Sequence, residues 1–417
     1  MARKKLTRRT ALTASAALGA SGLAACSDSD GRIGDAPDPE SVAQVTVTPG
    51  DGETEIPVSV EFEWEVEDGE FVEFSLTNAD GEEVDGDMHP DGETWVPASP
   101  LEYETTYTAT VSADDADGLR AIEEAEFTTM ASPSNRVEVV SYLPGDGAVV
   151  GQAGVIAFEF SGFDVPEDRR RDVERRLFVR TEPEQEGAWH WYNGHKLEYR
   201  PQEYWEPNTE ISVRLALGGM PLSEDQYGEF DINGSWSTSS ELRLIEVDND
   251  TKEMQIYRDD ASVNTFDTSL GEEGQDPDQR SYSGHMTIMS REEEAVFGSE
   301  QFGYEDLDVE WAMRLTWSGQ YIHAAPWASS DLGSTNVSHG CVNLDDDDAE
   351  WLFDFVTWGD PIIVSNTGRS LPAGDGFTTW DMDWDTLVAG SYTYGDATEE
   401  ESDESDSSNG DDEETED

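Results

Sequence analysis

Thr106-Tyr107-Thr108-Ala109-Thr110-Val111 alternates threonine with an apolar or aromatic side chain through six consecutive residues. In an extended chain successive side chains point to opposite faces, so Tyr107, Ala109 and Val111 share one face and the three threonines the other. The run is a half-buried strand, and its neighbours repeat the pattern. Val45-Thr46-Val47-Thr48 and Val58-Ser59-Val60-Glu61-Phe62-Glu63-Trp64 lie upstream, and Asp51-Gly52, Asp80-Gly81 and Asp117-Gly118 supply tight turns. Residues 41–131 contain no cysteine and read as an immunoglobulin-like sandwich that needs no disulfide.

The same grammar restarts over residues 132–240. Pro144 to Gly147 makes a turn, followed by the strands Val155–Phe160, Leu177–Arg180 and Ile211–Leu215. Trp189, Trp191 and Trp205 are expected in its core, and His190 and His195 are read as structural. From Glu241 the pattern changes. A hairpin pairs Leu242–Val247 with Glu253–Tyr257, and further strands are expected at Val263–Leu270, His285–Met289 and Pro361–Val364. One helix stands out: Asp345 to Asp348 form an acidic first turn, and Trp351, Leu352, Phe355 and Val356 recur at helical spacing. Residues 241–367 are therefore a mainly β domain with one principal helix. Residues 368–394, with Trp380, Trp384 and Leu387, are expected to pack back on the folded body, and 395–417 has the composition of disorder.

The formal net charge of −70 over 417 residues, from 94 acidic and 24 basic side chains, excludes nucleic acid as a partner. No basic stripe exists to displace counterions from phosphates. After the N-terminus only Lys196 and Lys252 remain as lysines. A carboxylate-covered surface is strongly hydrated, and its self-repulsion is screened at molar salt, where the Debye length is about 3 Å. The composition reads as adaptation to a saline exterior. The N-terminus agrees with an outside location: Arg3, Lys4, Lys5, Arg8 and Arg9 precede a short apolar run, Ala11–Ala25, as in a twin-arginine export signal. Leu23-Ala24-Ala25-Cys26 resembles a lipobox, which makes Cys26 a lipidation site, 1–25 a signal peptide and 26–40 a flexible tether.

If Cys26 carries lipid, Cys341 is the only thiol left free, and a free thiol outside the cytoplasm is prone to oxidation unless it has a use. It stands in Ser338-His339-Gly340-Cys341-Val342-Asn343, 18 residues after the histidine of Tyr321-Ile322-His323-Ala324-Ala325-Pro326-Trp327. His323 falls at the end of an apparent strand, Trp317 to Ile322, from which its imidazole could take the thiol proton to give an ion pair. The Gly340 and Cys341 amides are placed to converge on an oxyanion. Asp345 to Asp348, close in sequence, should raise the thiol's pKa. A competing chemistry makes His323, His339 and Cys341 zinc ligands, although the spacing is not a familiar zinc pattern and shows no fourth ligand.

These motifs resemble the signature of the L,D-transpeptidases. Gly303-Tyr304, Asp308-Val309-Glu310-Trp311, Ser318-Gly319, Gly359-Asp360 and the tryptophans at 380 and 384 extend the resemblance to the mycobacterial type. The resemblance implies two immunoglobulin-like sandwiches before the catalytic domain, no cofactor and no metal. It implies Cys341 as nucleophile, His323 as general base, the Ala324 carbonyl as the group orienting it, and Gly340 in the oxyanion site with the Tyr304 hydroxyl. Ser338, His339, Asn343 and Trp327 would contact substrate, and residues 290–304 would form a flap. The implied partners are peptidoglycan stem peptides, both tetrapeptide donor and diamino-acid acceptor, with carbapenem β-lactams as inhibitors and the membrane reached through the lipid. The implied reaction makes 3→3 cross-links through a thioester. An L,D-carboxypeptidase using the same thioester, or a catalytically silent wall-binding lipoprotein, would carry the same framework.

Overall fold

The computed structural model describes residues 40–89, 94–274, 276–299 and 304–395. The segment up to residue 39, expected to hold an export signal, the lipidation site Cys26 and a tether, lies outside the described residues, as does the acidic tail beyond Gly395. No helix among the described residues is long and apolar enough to cross a membrane.

The opening strand spans Thr106–Asp114 and lies between Glu70–Asn78 and Arg120–Thr128 in a three-stranded antiparallel sheet. Tyr107, Ala109 and Val111 are buried, as alternation requires. They meet Val47, Phe62 and Trp95 from the facing four-stranded sheet of Gln44–Thr48, Phe62–Glu67, Thr94–Pro97 and Gly86–Met88. The three Asp-Gly turns hold their glycines at φ +80°, +78° and +76°, which only glycine adopts without strain. One expected strand starts late. Pro57 opens a turn closed by the Val60 N–H to the Pro57 carbonyl, so Val58 is buried from a bend and pairing begins at Phe62.

A second sandwich follows, with one sheet ordered Ala148–Val150, Ile232–Thr238, Glu210–Leu215, Leu177–Glu182. The other is ordered Gly187–Trp191, Lys196–Pro201, Ile156–Phe160, Val139–Ser141. Trp189, Trp191 and Trp205 are all in its core. The strand Lys196–Pro201 is buried at every position. Leu197 and Tyr199 enter the sandwich core, while Lys196, Glu198 and Arg200, two residues apart, turn to the opposite face and clasp residues 374–382. Lys196 Nζ donates to the carbonyls of Gly374 (2.5 Å) and Gly376 (3.2 Å). Glu198 accepts from the backbone and hydroxyl of Thr379, and Arg200 donates to the carbonyls of Thr379 and Met382 with its guanidinium 4.4 Å from the Trp380 ring. His190 Nδ1 donates to the Leu387 carbonyl, and His195 meets Asp164 at 2.6 Å.

Beyond it, a five-stranded sheet runs Ala261–Asp267, Glu253–Arg258, Arg243–Asp248, Pro361–Ser365, Gly284–Thr287. A four-stranded sheet runs Ser290–Ser299, Tyr304–Arg314, Tyr321–Ala324, Val342–Leu344. Their core takes Ile245, Ile256 and Val364 from the first sheet, Met313, Ile322 and Leu344 from the second, and Leu352 from the helix Asp346–Phe355. Asp345 caps that helix by accepting the Asp347 N–H. Its inward face is Ala349, Leu352 and Phe353 followed by Val356, whereas Trp351 is turned outward. A separate apolar cluster joins Val155 and Ala157 of the second sandwich to Met289, Phe377 and Trp380, with Tyr142 and Trp317 against it.

Candidate active site

The strand carrying His323 is shorter than its sequence suggests. Trp317 lies in a turn closed by the Gly319 N–H to the Thr316 carbonyl, with Gly319 at φ +96°, and pairing starts at Tyr321. Tyr321–Ala324 then runs parallel to Val342–Leu344 with Ile322 beside Val342 and His323 beside Asn343. Extending that register by one residue sets Cys341 beside Tyr321. Tyr321, His323, Cys341 and Asn343 therefore project from one face. With strands about 4.8 Å apart and a rise of about 3.3 Å per residue, the Cys341 and His323 Cα atoms are about 8 Å apart on the diagonal. An imidazole and a thiol can close that gap with their own length.

Both line a cleft of about 820 Å³ with Tyr321, Trp327, Ser338, His339 and Asn343 among its walls. A smaller cavity of about 360 Å³ lies between the two sandwiches, around Phe178 and Arg214, and holds none of these groups. His323 is 4% exposed, and its Nδ1 lies 2.7 Å from the Ala324 carbonyl oxygen. A carbonyl only accepts, so Nδ1 carries the hydrogen and Nε2 of the neutral ring is left with its lone pair. Burial lowers the imidazole pKa and the Ala324 hydrogen bond opposes it less strongly. Phe297 meets the ring edge-on at 5.4 Å, and Trp327, 54% exposed, stands 6.0 Å away at the mouth.

Cys341 is half-buried, and burial pushes its thiol up to about 11, against a weaker downward pull from a backbone hydrogen bond at Tyr321. The resting pair is thus neutral thiol and neutral imidazole, not the ion pair expected from sequence. The four aspartates have no part in this shift. They lie past the strand Val342–Leu344, where Asp348 is raised by its own burial and by Asp345, Asp347 and Asp267. The thiol hydrogen points to the Gly319 carbonyl at 3.9 Å.

The loop before Cys341 is held from both sides. Ser338 Oγ donates to the Cys341 carbonyl at 2.6 Å and accepts the Gly340 N–H at 3.1 Å. The Gly340 carbonyl accepts from Ser281 Oγ, which itself accepts the Gly271 N–H. Gly340 sits at φ +130°, and a Cβ there would come within 3.0 Å of Gln320 Nε2. Ser338 is therefore a brace of the loop as well as part of the wall. His339 is exposed at the rim, whereas Cys341 is half-buried. Asn343 is 2% exposed and its backbone is bonded both ways to Ser269.

Tyr304 opens a strand opposite Ser299, but its side chain lies outside those described, as does the tip of the hairpin expected as a flap. Its described arm places Phe297 over Tyr321 (4.5 Å) and His323. No group of three His, Cys, Asp or Glu side chains among the described residues is arranged to hold a metal. Sequence reading missed Tyr321, although its place two residues before His323 on a strand implies a shared face. It also missed Arg314 and Arg369, and it placed Phe297 only as part of the expected flap, without singling it out.

Comparison with known proteins bears on this arrangement. The bacterial Ig domain family matches residues 38–221, and the L,D-transpeptidase catalytic domain family matches residues 242–364. L,D-transpeptidase 5 of Mycobacterium tuberculosis is 30% identical over 395 residues, covering 92% of this chain and 85% of that protein. L,D-transpeptidase 2 of the same species is 29% identical over 357 residues, covering 84% and 85%. A solved structure of the LD transpeptidase LdtMt1 in complex with imipenem is 31% identical, with a TM-score of 0.45, and spans 55% of this chain and 99% of its own.

Proposed function

The chain belongs to the L,D-transpeptidases, and from that premise we propose that it forms 3→3 cross-links in peptidoglycan through a thioester on Cys341. The observation that carries the reading is the parallel register that sets Cys341 diagonal to a His323 whose Nδ1 is engaged by Ala324. Nε2 then accepts the thiol proton as the sulfur attacks the carbonyl between the third stem residue and terminal D-alanine. The Cys341 amide faces the developing oxyanion, joined by the Tyr304 hydroxyl and by the Gly340 amide once it leaves Ser338. Collapse expels D-alanine, whose amine takes the proton back from Nε2. The side-chain amine of a second stem attacks the thioester, gives its proton to His323 and releases the thiol. Asn343, His339 and Trp327 contact the stem peptides.

The fused sandwiches and the N-terminal signature support a wall-facing enzyme anchored outside the membrane by lipid on Cys26. Loss of lipid labelling in Cys26→Ala checks the anchor. For the chemistry, full-length protein in high salt is incubated with a carbapenem and its intact mass measured. A stoichiometric adduct absent from Cys341→Ala is expected, and an unmodified wild type would overturn the assignment. Digestion of treated wall material separates the acceptors: 3→3 dimers are expected, and free tripeptide alone would convert the enzyme to a carboxypeptidase.

A further inference from the structure

The cleft reverses the charge of the chain around it. Apart from its histidines and Cys341, its charged lining among the described residues is Asp278, Arg314 and Arg369, a positive balance in a protein of net charge −70. The two arginines differ in kind. Arg369 is paired with Asp278 at 3.1 Å and donates to the Asp278 and Arg280 carbonyls. Among the described residues Arg314 forms no salt bridge. Its Nε and Nη2 donate to the carbonyls of Thr316 and Trp317 (both 2.9 Å), and its guanidinium stands 5.5 Å from the Tyr321 ring centroid. Two backbone carbonyls thus aim a partly buried cation without neutralising it.

Its position relative to the nucleophile follows from Tyr321. Burial raises the Tyr321 pKa; Arg314 opposes the rise through charge and hydrogen bonding, while Glu292 and Cys341, both close enough to act on the same phenol, add to it. One tyrosine ring therefore separates the guanidinium from the sulfur. Arg369 covers Tyr282 at 4.3 Å, whose N–H donates to Gln320 Oε1, and Gln320 packs against Gly340. Both cations thus border the floor of the nucleophile loop.

We propose that Arg314, assisted by Arg369, binds the free C-terminal carboxylate of the donor stem peptide. This rests on the transpeptidase reading above. The carboxylate of the departing residue lies one residue past the broken bond, about 3.8 Å of chain, which suits a cation one ring from the sulfur. Holding it orients the scissile carbonyl toward Cys341 and selects stems that end in an acid. The cation is already desolvated and fixed before substrate arrives, so little ordering cost remains at binding.

The test uses the full-length protein in moderate salt with two synthetic tetrapeptide donors, one ending in D-alanine and the other in D-alaninamide. Released D-alanine or D-alaninamide is quantified by mass spectrometry. Wild type should favour the acid by about tenfold to a hundredfold in kcat/KM, the range for a hydrogen bond between charged groups. In Arg314→Gln that preference should collapse through loss on the acid while amide turnover is kept; Arg369→Gln should show a smaller collapse and Arg314→Lys a partial recovery. An unchanged acid-to-amide ratio in Arg314→Gln overturns the inference alone. So does an equal fall on both donors and in carbapenem acylation, which would make Arg314 only a brace for the Thr316–Gly319 turn. A wild type that releases neither product overturns the transpeptidase reading itself.

Discussion

A thiol pushed to about 11 beside a buried neutral imidazole makes a quantitative demand on reactivity. At pH 7.5 a group with pKa about 11 is ionised in about three molecules per ten thousand, against about one in ten for an ordinary cysteine near 8.5. The more basic thiolate regains part of that deficit, because nucleophilicity rises by about 0.4–0.5 log units per pKa unit. The balance leaves Cys341 about thirtyfold slower than a free thiol toward a small neutral electrophile such as iodoacetamide. Because the pKa lies so high, the logarithm of the alkylation rate should climb with unit slope from pH 6 to near pH 10. The assay is intact-mass alkylation under pseudo-first-order conditions in high salt, with Cys341→Ala as blank. A plateau near or below pH 7, or alkylation faster than free cysteine, would refute the neutral resting pair and restore a preformed ion pair. His323→Gln should leave the alkylation profile in place yet slow carbapenem acylation by about 10²–10⁴, since only acylation needs Nε2 to take the proton in the transition state.

Two further outcomes concern stability. Asp360 is fully buried, 3.6 Å from Arg243 and accepting the Thr357 N–H, and burial pushes its carboxyl from 3.8 up to about 7. A raised acid pKa favours the fold below about pH 4, and that contribution is lost as pH climbs to about 7, amounting to at most about 4 kcal/mol. Asp360→Asn should flatten the fall of melting temperature across that window in molar salt; an unchanged slope would show that the carboxyl does not titrate with folding. The wild-type melting temperature should also rise from low to molar NaCl as self-repulsion among 94 acidic groups is screened, and a flat response would remove the saline reading of the composition.

What the sequence disclosed followed from local rules. Alternation at Thr106–Val111 and the Asp-Gly turns suffice for the first sandwich, because they depend only on the two-residue period and on glycine at positive φ. The nearness of Cys341 and His323, the pair proposed to be catalytic, is legible for the same reason: a strand end and a glycine loop are local features, and one thiol leaves few alternatives. What escaped depended on distance. Lys196, Glu198 and Arg200 look like an exposed polar face until residues 374–382 are seen to cover them. The aspartates near Cys341 in sequence are carried away by a three-residue strand, and the desolvation that does raise the thiol cannot be read from adjacent letters.

The scarcity of cations acquires a structural reason on the same grounds. Both lysines left after the N-terminus are internal struts: Lys196 clasps the C-terminal segment, and Lys252 bonds the Asn249 carbonyl beside Glu273. That second strut meets the loop that leads to Cys341, because Asn336, whose Oδ1 accepts the Leu270 N–H, donates to Asn249 and Glu273. Surface lysines are dispensable where carboxylates hold the water, whereas a buried carbonyl or carboxylate still requires a donor. The same reasoning sets Arg314 apart. It is half-buried, and no carboxylate among the described residues forms a salt bridge with it. A cation retained in an acidic chain, aimed by backbone carbonyls into the cleft that Cys341 lines, fits the proposed role of receiving the carboxylate of a bound stem peptide.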